Sequence, residues 1–187
     1  MTKEKAIQFP PPAPQGYPVR YERQLALKGG QEVFLRPILP TDGPLIVDLF
    51  HRMSPQSIYL RFLRQLHAFP EDMVHRFTHV DYHSAAALVA VIEEDGKNAI
   101  IGVGRYGQDP DGDTADLGVA VRDDWQHFGL GKSLLAGIVG IAKDCGISRF
   151  TGMMASRNFV MMQTLRELGY NVTYSYQQGF FHVDIRA

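Results

Sequence analysis

The stretch WQHFGLGK at residues 125–132 holds two glycines, a histidine and a lysine where the strand-like run DLGVAVR hands over to the helix-like run SLLAGIVGIAKDC. Glycines at 129 and 131 remove the Cβ atoms that would keep a ligand away from the main chain. The first turn of a helix leaves about four N–H groups without partners and carries a partial positive charge, so a turn of this kind can hold an anion, above all a pyrophosphate. His127 and Lys132 could add charge. Plain turn chemistry explains a lone glycine pair as well. The spacing fits neither the G-x-G-x-x-G of dinucleotide sites nor the G-x-x-x-x-G-K-[ST] of the P-loop, so another phosphate-bearing ligand is required.

A carboxylate is the second chemical candidate. In TADLGVAV a period of two puts Ala115, Leu117, Val119 and Val121 on one face and Asp116, Gly118 and Ala120 on the other. Asp116 shares its face with the two smallest side chains, which leaves room for a substrate; a strand-end aspartate bonded to a turn is the alternative. Other candidates carry less. His75 and His79 lie four apart on an expected helix with no third ligand near in sequence, so no metal is expected. Met153-Met154 and Met161-Met162 read as flexible lining or core. Asp81-Tyr82-His83 either shapes a pocket or simply leads into a strand.

These residues need a scaffold. RQLALKGGQEVFLRPI reads as a hairpin about Lys28-Gly29-Gly30. Thr41-Asp42 with Pro44, and Ser54-Pro55 before the helical run SIYLRFLRQL ending at Leu66, read as helix starts, and a third helix is expected over residues 71–78. The period then changes to strands in AAALVAVIEE, AIIGVGRYG and TADLGVAV, with turns at Asp95-Gly96 and Asp111-Gly112. Leu130, Leu134, Ile138, Ile141 and Cys145 recur at helical spacing. A strand at SRFTGMM, a helix at RNFVMMQTLREL and strands NVTYSYQ and GFFHVDIR follow, the last two joined at Gln178-Gly179. The whole predicts an α/β (α+β) fold, a mixed, mostly antiparallel sheet flanked by helices, over residues 21–187. Residues 1–20 are rich in proline and read as a flexible arm.

The totals set bounds. The chain has 187 residues, sized for one domain, and 45% hydrophobic content, sufficient for a core. With 19 Lys+Arg against 20 Asp+Glu it offers no general basic field for nucleic acid and no polybasic membrane anchor. The single cysteine, Cys145, excludes an internal disulfide. Neither a signal-peptide core nor a spanning apolar stretch of about 20 residues is present, which leads to a cytoplasmic expectation.

Gln126-His127-Phe128-Gly129-Leu130-Gly131 resembles the Q/R-x-x-G-x-G/A signature of the GNAT superfamily of acetyl-CoA-dependent N-acetyltransferases, and Asn158, LRELG and Gly169-Tyr170 resemble its later pattern. FLRPILPTD, SIYLRF, VDYHSAAALVA, IIGVGR and ADLGVAVRDDWQ look like the bacterial Pat-type protein lysine acetyltransferases. The resemblance implies the GNAT fold and acetyl-CoA as acetyl donor, with no metal. It further implies that Val119, Ala120 and Val121 pair with the pantetheine arm. Gln126, His127, Phe128, Gly129, Leu130, Gly131 and Lys132 would hold the pyrophosphate, and Asn158 would contact the arm. The implied acceptor is a lysine of a protein such as an acyl-CoA synthetase; a small-molecule amine, or acetyl-CoA sensing without turnover, are the alternatives.

A lysine amine is neutral less than about one time in a thousand at pH 7, so an acceptor of its proton is needed. Asp116 aligns with the glutamate that Pat-type enzymes use as general base, one C–C bond, about 1.5 Å, shorter. Burial of Asp116 would raise its pKa towards neutrality. Leu165 stands where many GNAT enzymes have a tyrosine acid for the departing thiolate. Cys145, expected to be buried, is a poor acyl carrier, so the resemblance implies direct transfer in a ternary complex.

Overall fold

The computed structural model describes residues 13–110, 112 and 114–187. Asp111 of the expected Asp111-Gly112 turn, and residues 1–12 of the proline-rich arm, lie outside the described residues. Eight strands form one sheet in the order β1-β2-β3-β4-β5-β6-β8-β7: β1 Arg23–Ala26, β2 Glu32–Pro37, β3 Ala85–Glu94, β4 Lys97–Gln108, β5 Ala115–Val121, β6 Arg149–Ala155, β7 Asn171–Gln177 and β8 Phe180–Arg186. The helices are α1 Gly43–His51, α2 Pro55–Phe62, α3 Glu71–Thr78, α4 Leu130–Asp144 and α5 Phe159–Glu167. This is the mixed, mostly antiparallel arrangement expected.

Two tight turns set the long hairpins. Asp95 and Gly96 (φ 52° and 74°) close β3 onto β4, and Gln178 and Gly179 (φ 51° and 87°) close β7 onto β8; paired positive φ is the primed-turn geometry that matches strand twist. Strand β3 is apolar at nearly every position because both faces are covered. Ala86, Leu88 and Ala90 join one core cluster with α4, while Ala87, Val89 and Val91 join a second with α1. Helix α4 buries Leu130, Leu134, Leu135, Ile138, Val139, Ile141 and Ala142 on the first face. It comes so close that a Cβ on Gly104 of β4 would stand 3.0 Å from the Leu134 carbonyl oxygen. Helices α1, α2 and α3 cover the second face.

The parallel pair β5/β6 is short. Only Ala115↔Phe150 and Asp116↔Thr151 are in register, whereas β5 pairs with β4 along its whole length. Beyond Asp116 the strands diverge and leave an open edge in mid-sheet.

Three local readings are corrected. Asp42 does not cap α1: its carboxylate accepts both guanidinium arms of buried Arg36 (2.7 and 2.7 Å) and the Leu39 N–H (2.7 Å), because a buried arginine is the stronger claimant. Helix α2 stops at Phe62, where Leu63 turns left-handed (φ 56°), short of the run to Leu66. Cys145 is half-buried just past the end of α4, with Sγ 3.7 Å from the Tyr82 carbonyl, and not within the buried helix face. Ser54 does cap α2, accepting from Ser57 N–H (3.2 Å). Within residues 13–20, Tyr17 donates to Glu22 (2.7 Å) and meets the Tyr82 ring edge-on.

Candidate functional site

The glycine loop begins with a 3₁₀ turn, Asp123–Trp125, and ends where Gly129 (φ 88°) enters α4. His127 is also left-handed (φ 68°). This winding turns successive N–H groups outwards. Among the described residues no protein acceptor meets the N–H groups of His127, Phe128, Gly129, Leu130, Gly131 or Lys132; the first bonded amide of the helix is Ser133, to the Gly129 carbonyl (3.1 Å). A Cβ on Gly129 would meet nothing within 4 Å, and one on Gly131 would touch only Val121, at 3.7 Å. The result is an uncovered row of donors at the positive end of a 15-residue helix.

The loop's side chains mostly face inward. Gln126 donates to the Val121 carbonyl and to Ser57 Oγ (both 3.1 Å), bracing β5 to α2. Phe128 packs on the core and its carbonyl accepts from Lys28 N–H (3.1 Å). Leu130 is buried, His127 is exposed, and Lys132 pairs with Glu167 of α5 (3.0 Å). What the loop presents outward is backbone.

The open edge of β5 adjoins these amides. Arg122 N–H donates to Ile101 across β4 (2.9 Å), so the two-residue alternation turns the main chain of Val119 and Val121 away from β4, towards the gap left by β6. Ala120 turns its main chain to β4, and its side chain packs on the cluster with α1.

Asp116 lies on the α2 side of the sheet and is exposed. The burial expected for it is absent. The space above Gly118 is also not free: a Cβ there would stand 2.3 Å from a guanidinium nitrogen of Arg61. Arg105 lies opposite Gly118 in register, and its guanidinium carbon sits 4.2 Å from the Phe77 ring centre. Burial, then the neighbouring Arg61, push Arg105 down to about 10, against the pull of Asp116. Burial lowers Arg61 too, with Asp116 opposing. Between these groups and Phe50, Phe62, Phe69 and Phe77 lies a mostly apolar pocket with about 30 Å³ of free space, enough for a water molecule.

The acetyltransferase (GNAT) family profile matches residues 52–170, the span from α2 and its approach through α5. The chain belongs to this family. Acetyltransferase PA5475 of Pseudomonas aeruginosa is 25% identical over 145 residues, 78% of this chain and 78% of that protein. The GNAT domain of S. lividans PAT superposes with a TM-score of 0.81 at 28% identity, covering 91% of this chain and 99% of that chain. The Salmonella typhimurium acetyltransferase yncA, solved with its cofactor acetyl-CoA, shares the fold at a TM-score of 0.64 and 17% identity, over 83% of this chain and 92% of that chain.

In this GNAT acetyltransferase Asn158 caps α5, its Oδ1 accepting from Met161 N–H (3.2 Å). Leu165 is buried in the main core and has no chemistry to offer. Asp81 accepts from His83 N–H, Ala85 N–H and Ser84 Oγ, a turn that leads into β3. His75 and His79 stack ring on ring. Among the described residues no group of three metal-ligating side chains is found. No helix among them is long and apolar enough to cross a membrane. Sequence reasoning missed Arg61 and Arg105. A signal was available: the alternation of AIIGVGRYG puts Arg105 at an inward position, beside Val103 on the same face, where an apolar residue is the rule.

Proposed function

We propose that this chain is an acetyl-CoA-dependent N-acetyltransferase that modifies a lysine side chain of a protein, by direct transfer in a ternary complex. The observation that carries the reading is the row of amides at residues 127–132 that find no acceptor among the described residues, beside the open edge of β5. The residues fit the coenzyme. Glycines 129 and 131 leave the donors uncovered, and Val119 and Val121 offer main-chain groups to an extended arm. Gln126 and Phe128 would hold the loop's shape from within, while Lys132, bonded to Glu167, would fix α5 and its cap Asn158 against the loop. Ala120 would contribute through the β4 ladder that keeps the edge straight.

Acetyl-CoA supplies an acetyl group activated as a thioester. Asp116, at the point where β6 leaves β5, would take the proton that the acceptor ammonium must lose, directly or through a water that makes up its short reach. Its exposure gives the acceptor a path to it. The amine nitrogen forms the new bond to the acetyl carbon as the carbon–sulfur bond breaks. An edge N–H from the strand would then polarise the carbonyl in a site whose donors need no rearrangement. Leu165, buried, cannot protonate the departing thiolate, which takes a proton from water. Cys145, at the far end of α4 beside Tyr82, stands outside the sequence of steps. A lone cysteine suits the cytoplasm, which we propose as its setting, with residues 21–187 as the transferase domain.

The protein acceptor is supported by the likeness to the S. lividans PAT domain. A deciding assay incubates the chain with acetyl-CoA and an acetylation-depleted extract and locates new acetyl groups by mass spectrometry. Modified lysines are expected. Asp116→Asn should lower kcat by on the order of a hundredfold while the acetyl-CoA Kd stays within about twofold; an undiminished rate removes Asp116 as base. Binding without transfer to any acceptor would instead make the chain an acetyl-CoA sensor.

A further inference from the structure

We infer that Arg61 and Arg105 form a seat for a carboxylate carried by the acceptor, so that this transferase selects amines with an anionic group beside them. The inference rests on the acetyl-transfer reading above and names its substrate class.

The other inward arginines show what a settled guanidinium looks like in this fold. Arg36 is held by Asp42 through two bonds of 2.7 Å, and Arg122 by Asp124 and Glu94. Arg61 and Arg105 differ. Among the described residues neither has an ion pair within 4.0 Å or a hydrogen bond, and the buried Nε of Arg105 has no partner. Both face the same two register pairs, Arg105↔Gly118 and Gly107↔Asp116: Arg61 sits over Gly118, and an Arg105 nitrogen lies 3.4 Å from where a Cβ on Gly107 would stand. A third guanidinium, Arg76 of α3, lies near the Phe77 ring, and Asp116 is the carboxylate that acts on both Arg61 and Arg105.

Arginine keeps its charge, and a guanidinium in apolar surroundings without an anion is a destabilised state. An excess of positive charge beside Asp116 also repels a bare lysine ammonium. An acceptor bearing a carboxylate next to its amine satisfies both conditions, since guanidinium and carboxylate match as a two-bond pair. The same cations lower the pKa of an amine held near them and so raise its neutral, attacking fraction. The carboxylate can come from an acidic side chain flanking a protein lysine or from an amino acid itself.

The test compares matched acceptors with the full chain and acetyl-CoA: a lysine peptide with glutamate or glutamine next to the lysine, and free lysine against lysinamide. The acid member of at least one pair should show a kcat/KM about tenfold or more above its amide partner, mainly through KM, and the pair that shows it identifies the source. Arg105→Gln and Arg61→Gln should each cut the ratio below about twofold, with Arg105→Lys retaining part of it. A readout that needs no turnover is the Nε–H resonance of Arg105 in the coenzyme A-loaded chain, which should shift with the glutamate peptide or lysine and not with the amides. Equal kcat/KM within both pairs and an unmoved resonance overturn the inference and leave the transferase reading standing. An acid-specific shift without transfer to any acceptor supports the seat and counts against the transferase reading.

Discussion

In the proposed reaction Gly131 and Asp116 would prepare chemistry in two different ways. Gly131 acts by having no side chain: its N–H and those around it stay uncovered because nothing projects beside them. Replacing it with valine puts a branched side chain at the donors, with room for it at the backbone since a Cβ there meets Val121 at an ordinary 3.7 Å. Gly131→Val should therefore weaken acetyl-CoA binding about tenfold or more by calorimetry while the melting temperature stays near that of the parent, valine being no worse than glycine in a helix. The turn and its uncovered amides were legible in the sequence because glycines at fixed spacing leave the main chain bare. The surroundings of Asp116 were not. Alternation correctly placed it with Gly118 and Ala120, but small residues on a strand can make room for substrate or for another part of the protein. Here they make room for Arg61, which arrives from α2 across more than fifty residues of sequence.

At the scale of elements, α2 is the piece that joins the two halves of the proposed site. Its N-terminus is tied to the 3₁₀ turn ahead of the loop: the Asp123 carboxylate accepts from Ser54 N–H (2.8 Å), Ser54 Oγ (2.7 Å) and Ser57 Oγ (2.8 Å), and Gln126 adds a bond to Ser57. Its last turn carries Arg61 over Gly118 of β5. Asp123→Ala removes three bonds at a partly solvated site. It should cost about 1 kcal/mol, a fall in melting temperature of roughly 2–4 °C, and raise the KM for the acceptor more than that for acetyl-CoA. Strand and helix positions were legible from periodicity because each element buries a defined face; β3 and α3 begin and end where the pattern does. The end of α2 was not, since Leu63 in left-handed geometry breaks an apolar pattern that continues to Leu66. Asp42 was misread for a related reason: local cap chemistry was visible, and its distant rival Arg36 was not.

Across the whole molecule, one ionic cluster joins the end of β3 to α1 and β5. Glu94 accepts from Arg52 and from Arg122, whose Nε and Nη2 also donate to Asp124. Arg52 first, then Arg122, hold the Glu94 carboxyl at about 2, below the ordinary 4.5. A carboxyl depressed on folding stabilises fully above its unfolded pKa, and that contribution disappears as pH falls through the folded value. The melting temperature of Glu94→Gln should therefore lie below that of the parent above pH 4.5, with the gap shrinking to near nothing by about pH 2. A gap constant over that range would contradict the assignment. The cluster also shows the limit of composition: a net charge of −1 gives no hint that, among the described residues, Arg36 and Arg122 have anion partners while Arg61 and Arg105 have none within 4.0 Å.

The parting of β5 from β6 has a consequence for solvent. An interior strand normally keeps its amides from deuterium for as long as the sheet stays closed, yet Val119 and Val121 turn theirs into a gap. They should exchange quickly in the free protein while Ala120 between them, bound to β4, exchanges slowly. Coenzyme A should slow the fast pair and leave Ala120 unchanged, giving a footprint of the coenzyme at single-residue spacing.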